Sequence, residues 1–157
     1  MDIPADWKDK VRRWFPELQE GVSFEFTSPV DYNYNCLSWA LGCNTKIFEK
    51  SKGATWEWPD IADDTADGWA RLCEVHGYSR TDNVDFTPGV EKIAIFERRD
   101  GDDIWLHAAR QDKSGKWKSK LGDMGPDIDH VGLSRLEHAY GEVVVILRRE
   151  RSDWKVI

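Results

Sequence analysis

Two periodicities divide this chain: apolar positions recur at helical spacing up to residue 76, and from residue 90 onward they alternate as strands do. Residues 4–15 predict a first helix, with Pro4 at an early position, Trp7, Val11, Trp14 and Phe15 on one face, and Pro16 ending it. Residues 21–30 read as loop or a short extended piece in which Val22, Phe24 and Phe26 alternate. The polar, turn-prone residues 31–35 deliver the chain into a short apolar helix that opens at Cys36 and closes at Gly42. After an irregular stretch, 44–59, the series Ala66, Trp69, Ala70, Leu72, Cys73 and His76 predicts a second long helix, with Asp63 or Asp64 as its N-cap. Strands are expected at 92–97, 104–110, 116–121 and 142–147, with 122–132 as loop and 133–140 as a short helix. Helices first and strands later predict an α+β fold, its N-terminal helices packed on an antiparallel sheet of about four to five strands. One domain over 1–157 is expected, with 1–30 as helix and lead-in and 31–150 as the core.

Composition removes several function classes. Hydrophobic residues at 40% and charged residues at 32% describe a folded globular chain rather than a disordered one. A net charge of −7 argues against nucleic-acid binding, which needs a basic face. Cys36, Cys43 and Cys73 have no CxxC spacing and the histidines no HExxH spacing, so neither a disulfide framework nor a metal site is expected. There is no glycine-rich phosphate loop, and no cofactor is expected. No apolar run has the length of a membrane span, and residues 1–6 lack the pattern of a signal peptide. The expected location is cytoplasmic, unless a signal-independent secretion system exports the chain.

The candidate chemistry is a thiol and its base. Cys36 stands where turn becomes helix, a position that favours the thiolate, and an adjacent imidazolium would favour it further. The competing reading is a small buried hydrophobe. His107 lies within a strand whose alternation puts Trp105, His107 and Ala109 on one face. If that face looks toward Cys36, the imidazole is its base; otherwise it is a hydrogen-bonded core histidine. A third group should orient the ring, and Ser119, Asp127 and His130 are the candidates. An oxyanion would be met by backbone N–H groups at the start of the cysteine helix, with Asn35 or Tyr34 assisting. Trp39 and Arg110 are candidate substrate contacts, and Trp56 and Trp58 form a candidate aromatic platform or a plain hydrophobic contact.

Tyr34-Asn35-Cys36-Leu37-Ser38-Trp39, followed by a second helix and then a strand meander with His107 on its second strand, resembles the papain-like cysteine peptidases in their compact NlpC and CHAP form. In those families an Asp-Cys or similar pair begins the nucleophile helix, and Asn35 stands here in place of the aspartate. The resemblance implies a Cys36–His107 pair with a polar third member near Ser119. The chain also resembles a group of small bacterial proteins that carry NCLxWA, HAARQ and WxSKLG, here residues 35–40, 107–111 and 117–122. What the resemblance implies is a cysteine-dependent hydrolase or acyl-transfer enzyme acting on a peptide or isopeptide amide. The alternative is a non-catalytic module binding a peptide or partner protein, as part of a toxin, effector or defence system.

Overall fold

The computed structural model describes residues 2–43, 63–122 and 124–151. Its first helix, α1 (Ala5–Trp14), leads to strand β1 (Phe24–Phe26) and the five-residue helix α2 (Cys36–Ala40). Helix α3 (Ala66–Val75) and strand β2 (Ser79–Thr81) precede a meander of β3 (Val90–Asp100), β4 (Asp103–Gln111), β5 (Trp117–Lys120) and β6 (Asp127–His130). A 3-10 turn (Ser134–Leu136) and the short helix α4 (Glu137–Tyr140) return the chain to β7 (Glu142–Glu150). All pairs are antiparallel, in the order β1-β6-β5-β4-β3-β7-β2.

The sheet therefore has seven strands among the described residues, which corrects the expected four to five. The additions are β1, β2 and β6, each of three or four residues. The first two are edge strands: β1 falls in the stretch read as loop or a short extended piece, and β2 is too short for alternation to be recognised. The third reads Asp-Ile-Asp-His, a composition that signals turn, yet all four residues are buried. The cap of α3 also differs from expectation. Thr65 is the N-cap and accepts from Gly68 N–H, while Asp64 instead accepts from Trp69 Nε1 at 3.0 Å.

Each face of the sheet carries its own apolar layer. Helices α2 and α3 pack Leu37, Leu41, Ala70 and Leu72 against Ile93, Ile95, Ala108 and Leu147. On the other face Val11, Phe15 and Leu136 cover Ala94, Phe96, Ala109, Trp117 and Ile128. Between the pairs Ile95–Val145 and Phe96–Val143, β7 carries one extra residue, Val144, which bends the ladder beside Phe96. Gly141 lets α4 dock there: its φ is +82°, and a Cβ would stand 2.1 Å from the Glu97 carbonyl oxygen.

One buried carboxylate ties α2 to the sheet. Asp127 Oδ2 accepts from the Tyr34 hydroxyl at 2.9 Å and from Trp39 Nε1 at 2.6 Å, and the Asp127 N–H donates to Ser28 Oγ at 3.0 Å. Asp127→Ala strands two donors, each costing about 1–3 kcal/mol when left unsatisfied. The expected outcome is a loss of roughly 2–4 kcal/mol in urea unfolding, with Asp127→Asn, which keeps an acceptor oxygen, losing less. Equal midpoints for all three proteins would show that the carboxylate does not hold α2.

Candidate thiol–imidazole site

Local capping places Cys36. Asn35 is the N-cap of α2: its Oδ1 accepts from Ser38 N–H at 3.0 Å and from Ser38 Oγ at 2.8 Å. The Asn35 N–H donates back to Ser38 Oγ at 2.9 Å, which completes a reciprocal capping box. Cys36 follows as the first helical residue and is buried, with 8% of its surface exposed.

His107 belongs to the opposite layer. It pairs with Phe96 across β3–β4, so its side chain shares the face of Ala94, Phe96 and Ala109, whereas α2 sits over Ala108. The face of Trp105, His107 and Ala109 is thus not the one that α2 covers. Cys36 and His107 nevertheless line one cavity of about 510 Å³, together with Trp105, Leu121, Tyr140 and Arg98. The β4–β5 pairing explains how. Among the described residues it covers only Ala109 to Gln111, so the chain beyond β5 turns away beside His107. There the two layers meet around the margin of β4. Tyr140 closes the arrangement, its ring stacked on the imidazole with centroids 3.7 Å apart and planes 7° apart.

Behind His107 runs a row of hydrogen bonds across three neighbouring strands. His107 Nε2 lies 3.0 Å from Ser119 Oγ, Ser119 Oγ 2.9 Å from His130 Nε2, and His130 Nδ1 2.8 Å from the Gly132 carbonyl. Register accounts for it: Ser119 is paired with Ala109 and His130 with Trp117, so each contact is the diagonal one on a single face. Of the three candidates for orienting the ring, Ser119 touches it directly and His130 backs Ser119. Asp127 does not take part, because alternation along β6 turns it to the other face, toward Tyr34 and Trp39.

Burial holds the His107 imidazole well below the ordinary histidine pKa, with repulsion from His130 adding to the effect. Burial likewise lowers His130 to about 4, against the pull of the Gly132 carbonyl and Asp129. Both rings are neutral at pH 7, so the imidazolium expected beside the thiol is not the resting form of His107. Burial raises the Tyr140 phenol, and the nearby Cys36 adds to that shift.

The remaining sequence candidates lie elsewhere. Tyr34 and Trp39 are spent on Asp127 and Asn35 on the cap, and none of the three lines the cavity. The Arg110 guanidinium stacks over the Trp39 ring at 4.4 Å and donates to the Trp39 carbonyl at 3.3 Å. Trp56 and Trp58 fall outside the described residues. Among the described residues, no three of His, Cys, Asp and Glu gather so as to hold a metal ion. Sequence reasoning missed Tyr140 and Arg98; no local pattern marks Tyr140, whose ring reaches His107 through the dock at Gly141.

A family model described as a domain of unknown function, DUF7689, matches residues 25–148, and the chain belongs to that family. The matched span takes in α2 and the whole hydrogen-bonded row. Neither the curated proteins nor the solved structures yield a match to this chain.

The depressed histidine pKa values link stability to pH. His130 keeps a folded pKa of about 4 against 6.5 in the open chain, so the unfolded state binds the extra proton first. The associated stability is complete above pH 6.5 and is lost as the pH falls toward 4; for His130 this amounts to roughly 3 kcal/mol. His107 adds to the loss in the same direction. Urea unfolding followed from pH 7.5 to 4 should show it, with a shallower slope in His130→Phe. An identical slope in that variant would mean that His130 is not held neutral.

Proposed function

We propose that this protein is a cysteine-dependent hydrolase or acyl-transfer enzyme acting on a peptide or isopeptide amide. The observation that carries the reading is the shared cavity: Cys36 and a neutral His107, whose Nε2 is engaged by Ser119, line the same space. The sequence resemblance to NlpC and CHAP peptidases, borne by residues 34–39 and His107, supports the same chemistry.

In the proposed cycle the Cys36 thiol gives its proton to His107 Nδ1, the nitrogen not occupied by Ser119. The sulfur adds to the amide carbonyl carbon, and the C=O electron pair moves onto oxygen. Collapse of that adduct expels the amine, which takes the proton from His107 Nδ1 and leaves a thioester on Cys36. Water, or an acceptor amine, then gives a proton to the same nitrogen and attacks the thioester. The acid or new amide is released and the thiol restored. Trp105, 60% exposed at the cavity, and Leu121 within it offer an apolar surface for the acyl side. The partner is a peptide or protein, and the acidic chain is not suited to nucleic acid. No described helix is long and apolar enough to cross a membrane, and a cytoplasmic setting is proposed with the rest.

The test is the pH dependence of iodoacetamide labelling, with labelled peptides identified by mass spectrometry. Cys36 should react well before Cys43 and Cys73, both fully buried, the second with its pKa pushed up to about 12. His107→Ala should slow Cys36 by about a hundredfold, the lower range for loss of a general base. The acid limb should fall well below pH 6.5, because a base of lowered pKa stays unprotonated there. Labelling of Cys36 only on unfolding, or indifference to His107, would favour the binding module instead.

A further inference from the structure

We infer that His130 is a positioning residue which, acting through Ser119, fixes the proton of His107 on Nε2 and keeps Nδ1 as the basic nitrogen. The inference rests on the proposed Cys36–His107 chemistry for its meaning, but its geometry stands independently of it.

The direction of every hydrogen bond in the row follows from its far end. The Gly132 carbonyl can only accept, so His130 Nδ1, 2.8 Å away, carries a hydrogen. In a neutral imidazole the other nitrogen is then an acceptor, and His130 Nε2 faces Ser119 Oγ at 2.9 Å. The serine hydroxyl has one hydrogen and gives it to His130. Its oxygen must therefore accept from His107 Nε2 at 3.0 Å, which places the His107 hydrogen on Nε2 and the lone pair on Nδ1. With the carbonyl removed from the row, the hydroxyl could point either way and neither tautomer would be preferred.

The backbone holds that end in place. Gly132 has φ +70°, a conformation that L side chains rarely adopt, and the neighbouring Val131 N–H donates to the Ser23 carbonyl at 2.9 Å. His107, Ser119 and His130 are each at least 98% buried, so water does not compete for the row. The Tyr140 and Phe96 rings face His107, while Asp129 and Lys118, on the opposite face of their strands, act on His130 through their charges alone. The buried His130, which loop composition would leave unexplained, thereby acquires a role that a filler residue would not have.

Long-range proton–nitrogen NMR of the histidine-15N-labelled protein at pH 7.5 reads the tautomers directly. Expected are His107 protonated on Nε2 and His130 on Nδ1. In His130→Phe and Ser119→Ala the His107 signals should move toward the Nδ1-protonated form, while Ser119→Thr, which keeps the hydroxyl, should hold the wild-type pattern. Iodoacetamide labelling of Cys36 should slow about tenfold in His130→Phe, part of a general-base contribution. A wild-type His107 protonated on Nδ1 overturns the inference and needs no variant to fold. So does an unmoved His107 tautomer in folded His130→Phe and Ser119→Ala, even where Cys36 labelling depends on His107. The expected tautomers with an inert Cys36 would support the relay and count against the enzyme reading instead.

Discussion

The Asp127 carboxylate is the constraint on which the rest of the site depends. Nothing intrinsic to a five-residue helix fixes its position, since a single turn is marginal without tertiary contacts. Asp127 fixes it by drawing the Tyr34 hydroxyl and the Trp39 indole to one oxygen, one on each side of Cys36. Burial raises the carboxyl pKa, the hydrogen bonds from Tyr34 and Trp39 oppose that rise, and the nearby Ser28 and Lys120 oppose it further. The strand that carries this anchor also carries His130. A four-residue segment thus holds the Cys36 helix with one face and the hydrogen-bonded row behind His107 with the other.

Lys120 does for the loops what Asp127 does for the helix. Its ammonium is fully buried and donates to three carbonyls, of Asp31 at 2.7 Å, Gly122 at 3.0 Å and Gly125 at 2.6 Å. These belong to the segment entering α2 and to the turn that leaves β5. The departure of β5 from β4 is what lets residues of two apolar layers share one cavity, and Lys120 sits at that departure. A charge without hydrogen-bond partners would be costly there; with three carbonyl acceptors it instead organises backbone that has no sheet partner.

Much of this arrangement is legible in the sequence, and the failures at β6 and at the third site residue share a cause. Cys36 could be placed because residues 31–35 are polar and turn-prone and Gly42 is a stop, and His107 because it lies inside a long apolar run bounded by turn residues. The β6 segment reads as loop because Asp-Ile-Asp-His offers aspartates where strands usually offer β-branched residues. Propensity assumes that a polar residue seeks water, whereas here tertiary partners satisfy Asp127 and His130. That one misreading also left the third site residue undecided. Once the segment is a strand, alternation alone separates Asp127 from His130 and assigns them to different tasks. Tyr140 escaped for another reason: its stacking on His107 depends on a long-range dock at Gly141, which no local pattern encodes.

The row behind His107 carries no formal charge, and this decides what kind of base His107 would be in the proposed reaction. A carboxylate in van der Waals reach of the imidazole would favour its protonated form and oppose the effect of burial. Burial and His130 instead act together on His107, both disfavouring the cation. The resting imidazole is therefore neutral, and in the proposed reaction the cation would form only as the sulfur attacks. Hydrogen bonds can still support that cation: as charge grows on His107, its Nε2–H polarises the Ser119 hydroxyl, which leans on His130 Nε2 and through it on the Gly132 carbonyl. Such a row would stabilise a transient charge on His107 more than a resting one. The same neutral row would serve a binding module merely as rigid core. The distinction between those two lives in Cys36, not in the histidines.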